Sequence, residues 1–410
     1  AAPKASAPAR AVPAGERSAA VARVGQAQRA GDASALDFSL SFFGRYEREH
    51  RDDKYDLLFA GARFADQHGF RAIWVPERHF HPFGGFSPNP SVTAAALARE
   101  TSRIQIRAGS VVIPLHHPIR IAEEWALVDN LSHGRVGIAA ASGWHPEDFV
   151  LAPEAYHDNR EITFRHIETV QRLWSGEAVE AVGGTGKTCG ATIYPMPKQA
   201  TLPIWITVVK NPETYAEAGR RGLGVLTNMM GQTVEELEAN VALYRQARQE
   251  AGHDPATGIV TVLVHAYVTD DADAARQEAA APFKAYLSTM TGLLDSLARN
   301  HGDESNFASL SQEDRDYLLD VTYRRYLETS ALIGSPDSCV AIVESLRAAG
   351  ANELACFVDF GVDPLRVVRS LSFLDELRAR FSAGRDARSS APADPGITRS
   401  AGAEVVEEEL

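Results

Sequence analysis

The chain has 410 residues, with 54 acidic and 41 basic side chains and a formal net charge of −13. This length accommodates one (β/α)8 domain with insertions or two ordinary domains, and the negative charge argues against nucleic acid or an anionic membrane as the main partner. The sequence contains no apolar run of the roughly 18 residues that a membrane-spanning helix needs. The three cysteines are too scattered for a disulfide framework. We therefore expect a soluble, cytoplasmic protein.

Both ends of the chain differ in composition from its middle. Residues 1–36 are rich in Ala, Pro, Arg, Ser and Gly, and residues 382–410 repeat this bias before an acidic close. Neither end has the large apolar side chains that a core needs, so we expect two flexible arms around a globular domain at 37–381. The first residue is not Met, which suggests a processed chain or a domain excised from a longer polypeptide. An independent enzyme with disordered ends is the commoner arrangement and the preferred interpretation.

Within the globular part, apolar and β-branched runs alternate with segments of helical spacing. This alternation predicts βα units and a parallel sheet. The predicted strands are 38–43, 72–75, 104–113, 136–141, 203–208, 224–227, 259–268 and 354–360. The predicted helices are 54–68, 90–101, 119–131, 159–174, 213–221, 234–251, 338–349 and 364–377.

Eight such pairs are the number that a closed (β/α)8 barrel requires, so we predict this α/β fold with insertions. A doubly wound open sheet is the alternative, because periodicity does not reveal closure. The Gly-rich and Pro-rich segment between Trp174 and Pro203 predicts a hairpin outside the barrel. The long, charged and mostly helical stretch at 272–330 predicts an insertion that forms a lid.

The strand at 136–141 leads into a polar loop. Its residues are small or β-branched without strict alternation, which is typical of a strand covered on both faces. Directly after it come Ser142, Gly143, Trp144 and His145, at the end of a barrel strand where ligands bind. A flat aromatic ligand would use the glycine for close approach, the indole for stacking, and the hydroxyl and imidazole for hydrogen bonds. The alternative interpretation is a polar loop with one aromatic cap.

Histidines follow the second and third predicted strands. The charged and imidazole side chains of the loop at 76–85 are Glu77, Arg78, His79 and His81. A histidine in such a loop is more often a surface residue, but the position after a strand makes a role in a site equally plausible here. The loop lacks HExxH spacing and contains a single acid, so we predict no metal site. Of His116 and His117, after the third strand, we expect one to be structural.

The run GGTGKT at 183–188 superficially matches a phosphate loop. The motif requires a glycine where the chain has Ala181, and the run does not join a buried strand to a helix. We interpret it as the turn of a hairpin.

A second candidate anion site follows the fifth predicted strand, at KNPET. Asn211 is suited to be the N-cap of the next helix, with Pro212 at its first position. Free backbone N–H groups at such a helix start bind anions, and Lys210 and Thr214 add a charge and a hydroxyl. Many helices begin in this way without binding an anion, so the pattern alone is unspecific.

The sequence shows no Ser/His/Asp arrangement, carboxylate pair or cluster of metal ligands. An enzyme with these side chains would therefore depend on a cofactor for the difficult chemical step.

Three segments carry a resemblance to a known family. They are WVPERHFHPFGG at 74–85, RAGSVVIPLHHPIRIAEEWALVDNLSHGRVGIAAASGWHPEDFVLAP at 107–153, and KNPETYAEAGRRG at 210–222. From Phe38 to about Leu377 the chain resembles the bacterial luciferase-like flavin monooxygenases. It is most similar to the branch found in polyketide and nonribosomal-peptide pathways.

This resemblance implies a (β/α)8 barrel that binds reduced FMN at its C-terminal mouth. Dioxygen would add to the flavin C4a carbon, and the resulting (hydro)peroxyflavin would transfer one oxygen atom to a natural-product intermediate, including one tethered to a carrier protein. Reduced flavin typically comes from a separate reductase, which agrees with the lack of a GxGxxG nicotinamide motif. The resemblance also implies a homodimer, with parent synthetase modules as further partners.

The resemblance also assigns cofactor-binding residues. Gly109 and Ser110 fall where relatives bend the third strand around the isoalloxazine, sometimes with a non-prolyl cis peptide. Ser142, Gly143 and Trp144 fall beside the ring. The residues that fall on the phosphate-binding turn are Lys210, Asn211 and Thr214.

The chemistry of a reactive flavin requires a closed, dry site. The residues predicted to form its apolar wall are Phe42, Phe43, Phe80, Phe83 and Trp144, of which Phe43 and Trp144 are also predicted to bind the cofactor. His79 would hydrogen-bond the peroxide or act as a general acid or base, with His145 as the alternative. Arg78 completes the candidate catalytic residues.

The chain departs from luciferase itself at three of these positions. Arg78 replaces a histidine implicated in catalysis, Lys210 a glutamate, and Ser142 an arginine, so light emission from an aldehyde is not expected. Two other functions stay open: a deazaflavin (F420)-dependent oxidoreductase, since relatives on this barrel use that cofactor, and a non-catalytic barrel that acts as a partner subunit.

Overall fold

The computed structural model describes residues 36–46, 53–300 and 310–382, and for 290–300 it describes the backbone alone. Apart from residues 36 and 382, the predicted arms lie outside this part of the chain, as does residue range 301–309 of the predicted insertion. Among the described residues, no helix combines the length and the apolar character needed to cross a membrane.

Eight of the eleven strands in the described residues close into a parallel barrel. The strands in chain order are β1 (Asp37–Ser41), β2 (Ala72–Val75), β3 (Gln105–Val112), β4 (Val136–Ala141), β5 (Val179–Val182), β6 (Thr188–Ala191), β7 (Ile204–Thr207), β8 (Gly224–Asn228), β9 (Val260–Val268), β10 (Leu332–Gly334) and β11 (Glu353–Phe357). The barrel order is β1-β2-β3-β4-β7-β8-β9-β11, and β11 pairs with β1. The prediction of a closed (β/α)8 barrel is therefore confirmed, and the open sheet is wrong.

Helices surround the barrel and bury their apolar faces against its outer side. They are α1 (Asp56–Gln67), α2 (Pro90–Glu100), α3 (Pro118–Leu131), α4 (Asn159–Trp174), α5 (Pro212–Arg220), α6 (Val234–Glu250), α7 (Ala272–Asn300), α8 (Gln312–Thr329), α9 (Pro336–Ala348) and α10 (Pro364–Phe381). Local sequence determines many of their starts. Asn89 caps α2 by accepting hydrogen bonds from two backbone N–H groups, and Thr233 forms a capping box with Glu236 at α6.

A buried ion pair fills the barrel below its mouth. The guanidinium of Arg107 donates to both carboxylate oxygens of Glu353, at 2.7 and 3.0 Å. It lies 5.0 Å from the ring of Trp74 and 4.4 Å from that of Trp205. All four residues are almost completely buried. This layer closes the barrel interior, so a ligand has access from the opposite, C-terminal end.

Two excursions depart from the barrel. Strands β5 and β6 form an antiparallel hairpin whose turn is residues 183–187, the first five residues of GGTGKT, and Thr188 begins β6. The interpretation of that run as a hairpin turn is confirmed. The insertion contains α7 and α8 and leads into β10, a three-residue strand that pairs with the last residues of β9. The sequence did not predict β10, because three residues are too few for a periodic pattern.

Candidate active site

The candidate site lies at the C-terminal ends of four neighbouring strands, β2, β3, β4 and β7. Near the end of β3, the peptide bond between Gly109 and Ser110 is cis, and the pairing of β3 with β4 shifts in register there. The Ser110 hydroxyl lies 2.6 Å from the hydroxyl of Thr207 at the end of β7. A Cβ on Gly109 would lie 3.0 Å from the Trp74 ring. The floor of the mouth is thus the Trp74 layer, with two hydroxyl groups above it.

The loop after β4 is shaped by Gly143. Its φ angle is +81°, and a Cβ at this position would lie 2.8 Å from the Phe149 ring and 3.1 Å from Val112. Other residues would therefore meet both backbone and steric obstacles. The carbonyl oxygen of Gly143 accepts a hydrogen bond from the Asn159 side chain at 3.2 Å. This contact fastens the loop to the first residue of α4.

A buried charge pair supports the same loop. Arg78 donates to Asp148 at 2.7 Å, and its guanidinium lies 5.3 Å from the Trp144 ring. The His145 ring packs edge-on against Trp144 at 5.3 Å. Burial, assisted by the positive charge of Arg78, lowers the pKa of His145 below its usual value, which keeps the imidazole neutral near neutral pH.

His79 belongs to a second buried cluster, in which Glu77 is the acceptor. One oxygen of Glu77 accepts from His79 at 2.9 Å and from His116 at 2.6 Å, and the other accepts from the backbone N–H of Val112 at 2.7 Å. His117 instead caps α3 by accepting from the N–H of Ile119. The prediction that one of the two consecutive histidines is structural is therefore confirmed.

The turn before α5 contains the predicted N-cap. Asn211 Oδ1 accepts from the backbone N–H groups of Glu213 and Thr214, at 3.0 and 3.3 Å. These two groups are therefore not free for an anion, which corrects that part of the prediction. The Thr214 hydroxyl instead accepts a hydrogen bond from Arg160 at 2.8 Å. A groove of about 530 Å³ beside the turn is lined by His157, Asp158, Arg160, Glu161, Phe164, Glu213 and Glu217.

The insertion packs on the other side of the mouth. The ring of Phe43 lies 4.8 Å from Phe83, which in turn lies 5.4 Å from Tyr286 of α7. The buried carboxylate of Asp359 accepts from the N–H groups of Phe43 and Gly44, both at 2.9 Å, and so fixes the loop after β1. Through these rings α7 contacts the segment that contains Phe43.

A family model described as luciferase-like monooxygenase matches residues 37–353, well over half of the chain. The chain belongs to the luciferase-like monooxygenase family. The oxygenase component of the flavin-dependent trigonelline monooxygenase of Acinetobacter baylyi is 25% identical to it over 345 residues, 82% of this chain and 92% of that protein. The 4-hydroxyprotoasukamycin monooxygenase of Streptomyces nodosus subsp. asukaensis is 27% identical over 334 residues, 79% and 85% of the two chains.

Solved structures share the fold of this luciferase-like monooxygenase. Monooxygenase RslO1 from Streptomyces bottropensis superposes with a TM-score of 0.66 and 25% identity, covering 83% of this chain and 98% of its own. The FMN complex of the oxygenating constituent of 3,6-diketocamphane monooxygenase from Pseudomonas putida also gives 0.66, at 19% identity, covering 83% and 97%. An F420-dependent secondary alcohol dehydrogenase gives 0.62, at 16% identity, covering 85% and 99%. Family membership makes this chain an oxygen-using oxidoreductase of a flavin-dependent family.

The structure of this luciferase-like monooxygenase brings most predicted site residues to one end of the barrel. Contacts connect Ser110 to β7, Gly143 to α4, and Thr214 to the same helix through Arg160. Phe42 does not join them. Its buried ring packs against Gly61 of α1, on the outer side of the barrel. Phe80 is 59% exposed, so it does not form a buried wall either.

Three residues of the site of this luciferase-like monooxygenase had no assigned role in the sequence prediction: Asp148, Arg160 and Thr207. Glu77 and His116 were named only as polar residues that follow strands, without a specific role. The position of Thr207 at a strand end was a usable signal, because barrel ligands bind there. Arg160 lies on a helix that begins far from any strand end in sequence, so nothing local indicated its contact with Thr214.

Proposed function

We propose that this chain is an FMN-dependent monooxygenase that oxygenates a natural-product intermediate of a polyketide or nonribosomal-peptide pathway, including a carrier-bound one. The observation that carries the proposal is a group of three hydrogen bonds at the same end of the barrel: Ser110 with Thr207, the Gly143 carbonyl with Asn159, and Thr214 with Arg160, the residue next to Asn159 on α4. Such a set suits a ligand with a planar ring at one end and an anionic group at the other. The named activity of the Streptomyces nodosus relative supports the substrate class.

The ring of the flavin would lie over the Trp74 layer. The missing side chains of Gly109 and Gly143 make room for the Trp74 and Phe149 rings, and the backbone at these two positions would contact the flavin ring. The hydroxyls of Ser110 and Thr207 would hydrogen-bond its polar edge, with Ser142 beside it. Trp144, held by Arg78 and 43% exposed, would stack at the outer side. Phe43 would pack from the β1 side.

The phosphate of FMN would bind at the turn before α5. Since Asn211 occupies the backbone N–H groups, the donors left for a phosphate are the Thr214 hydroxyl, the Lys210 ammonium and the Arg160 guanidinium. Neighbouring arginines are paired with carboxylates: Arg220 with Glu213 and Arg221 with Glu168. Arg160 donates to a neutral hydroxyl, so its charge is available to an anion.

Bound reduced FMN would supply the oxygen chemistry, through the C4a-(hydro)peroxyflavin that the family resemblance implies. The chain would bind the ring, exclude water and move protons. His79 would serve as acid or base, and Arg78 and the neutral His145 would set the charge beside the ring. Residues 272–330 would act as a lid within a catalytic domain at 37–381, because α7 contacts the Phe43 segment through Phe83.

A separate reductase would supply the reduced flavin. The A. baylyi relative is named an oxygenase component, which supports a two-component system. We also propose a homodimer, whose mass light scattering measures directly. If the chain belongs to a larger polypeptide, residues 1–36 and 382–410 would connect the catalytic domain to synthetase modules.

Anaerobic titration with reduced FMN and reduced F420 tests the cofactor. We expect reduced FMN to bind with a Kd on the order of micromolar and to bind more tightly than F420. Removal of a site hydroxyl in Thr207→Val should weaken FMN binding, whereas Thr169→Val, on the exposed face of α4, should not. Binding no tighter than millimolar, or a preference for F420, would contradict the proposal.

Oxygen transfer needs its own experiment. The chain is incubated with reduced FMN, isotopically labelled dioxygen and candidate carrier-bound intermediates. The masses of the products are then measured by mass spectrometry. One labelled oxygen atom in the product is the expected result. Formation of hydrogen peroxide without labelled product from any candidate would count against this substrate class.

A further inference from the structure

One buried carboxylate joins two histidines that come from different parts of the chain. Glu77 Oε1 accepts from Nε2 of His79 at 2.9 Å and from Nε2 of His116 at 2.6 Å. Glu77 Oε2 accepts from the backbone N–H of Val112 at 2.7 Å. The Glu77 side chain has no exposed surface. The group is therefore a closed triad of His79, Glu77 and His116, anchored to the end of β3.

The hydrogen bonds of the triad keep Glu77 ionised. Burial alone raises the pKa of a carboxyl group, but the donors on His116 and His79 outweigh it and lower the pKa of Glu77. For His116, burial lowers the pKa, and the hydrogen bond and negative charge of Glu77 reverse this and raise it above 6.5. The carboxylate thus stabilises a positive charge on His116.

An ionised carboxylate accepts hydrogen bonds and donates none, which determines the tautomer of both rings. Each Nε2 atom must carry a hydrogen. In the neutral ring of His79, the basic atom is then Nδ1. A carboxylate holds the general base of serine hydrolases in one tautomer and orientation in the same way.

His116 lies at the outer end of the triad. Its side chain is 32% exposed, compared with 11% for His79. Next to Glu77 and His116 is a cavity of about 20 Å³, which has room for one water molecule. Polar residues that line this cavity are Asn89, Ser91, Arg120 and Glu124. Solvent protons therefore reach His116 more readily than they reach His79.

We propose that Glu77 and His116 position and tune His79, an inference that rests on the proposed function, in which His79 is the acid or base beside the flavin. Glu77 holds His79 in the Nε2–H tautomer, with Nδ1 as the reacting atom. Protonated His116 neutralises the carboxylate and makes Nδ1 a weaker base. Neutral His116 leaves the full negative charge of Glu77 to support a proton on His79. Glu77 and His116 are positioning residues.

Other charged groups surround the triad. Glu124 and Arg120 face His116 from α3 and are hydrogen-bonded to each other at 2.8 Å. His166 of α4 lies behind the His116 backbone, and burial lowers its pKa, so it stays neutral near neutral pH. Arg78 and Asp148 near His79 form their own ion pair. Arg120, Arg78 and Asp148 are each paired with an opposite charge and His166 is neutral, so His116 is the titratable group that contacts the Glu77 carboxylate together with His79.

Two variants separate tuning from simple support of the fold. His116→Gln puts an amide N–H close to the position of Nε2, so it can still donate to Glu77 but binds no proton. His117→Asn is the matched control, since an asparagine can still cap α3 and the triad is untouched.

The first measurement is made on the flavin-free protein, by NMR of ¹⁵N-labelled histidines. We expect His79 to be the Nε2–H tautomer in the wild type, His117→Asn and His116→Gln. In Glu77→Gln, where the amide cannot accept from all three donors, we expect a partial conversion of the His79 tautomer. His79 found as the Nδ1–H tautomer in the wild type would overturn the proposal.

The second measurement is the pH dependence of kcat for oxygen consumption with saturating reduced FMN. For the wild type and His117→Asn, we expect kcat to change several-fold across the titration of His116, at the pKa that NMR gives for that ring. His116→Gln should lose this change while the KM for FMN stays the same. An unaltered pH profile in His116→Gln would overturn the proposal. Absence of FMN binding in the wild type would instead overturn the proposed function, and the tautomer would still show whether Glu77 positions His79.

Discussion

Arg160 offers a sharp test of where the flavin phosphate binds. Its guanidinium donates to the Thr214 hydroxyl at 2.8 Å and has a neutral partner, while nearby Arg165 is paired with Glu161 at 3.4 Å. Arg160→Gln removes the positive charge and keeps a donor group. Because riboflavin lacks the phosphate, the variant should weaken the binding of FMN and leave that of riboflavin unchanged.

The magnitude follows from the kind of contact and its exposure. A hydrogen bond to a charged group is worth roughly 1.5–3 kcal/mol, and Arg160 is exposed, so solvent screening favours the lower end. A loss of about 1.4 kcal/mol corresponds to a tenfold increase in the Kd for FMN. The preference for FMN over riboflavin should fall by the same factor, about tenfold.

Fluorescence or absorbance titrations with the two flavins measure this preference, at low and at high salt. Arg165→Gln is the control, because it removes an exposed charge from the same helix and Arg165 does not contact Thr214. Salt should reduce the preference of the wild type more than that of Arg160→Gln, since the phosphate contact is screened. An equal loss of affinity for both flavins, or no loss at all, would refute the assignment of Arg160 to the phosphate.

Three further outcomes concern the framework of the site. Glu353→Leu leaves the buried charge of Arg107 without its carboxylate counter-ion, so urea unfolding should show a loss of about 3–5 kcal/mol. Recovery of much of this loss in the double variant with Arg107→Met would separate the charge effect from a packing effect. Burial lowers the pKa of His265 to about 3, so the unfolded chain binds a proton below about pH 6.5 that the folded chain does not. Stability is therefore lost as the pH falls from about 6.5 towards 3, and His265→Leu should reduce this loss by about 1.4 kcal/mol per pH unit; identical slopes in the two proteins would contradict this account. Gly143→Ala forces a Cβ into a left-handed backbone and against Phe149, so thermal unfolding should report a loss of about 1–3 kcal/mol, and an unchanged Tm would show that the loop relaxes freely.

The sequence by itself determined the repeating βα units and most of their boundaries. The helix at 159–174 was predicted with the bounds that the structure shows, and the eight barrel strands all lie where the apolar runs predicted them. Such elements depend on periodicity and capping within short windows, which a sequence displays directly. Residues directly after strands were also predictable as site candidates, because all parallel strands of a barrel end on the same side.

The tertiary structure alone decided which distant residues meet. Closure depends on the pairing of β8 with β9, and the Arg107–Glu353 pair joins residues 246 positions apart. The packing of strands and helices likewise decides three other contacts. Phe42 packs against α1, Arg160 hydrogen-bonds Thr214, and His79 and His116 share one carboxylate as their acceptor. Local pattern identifies an element and its buried side, whereas the partner of a side chain depends on the relative placement of elements that are far apart in the chain.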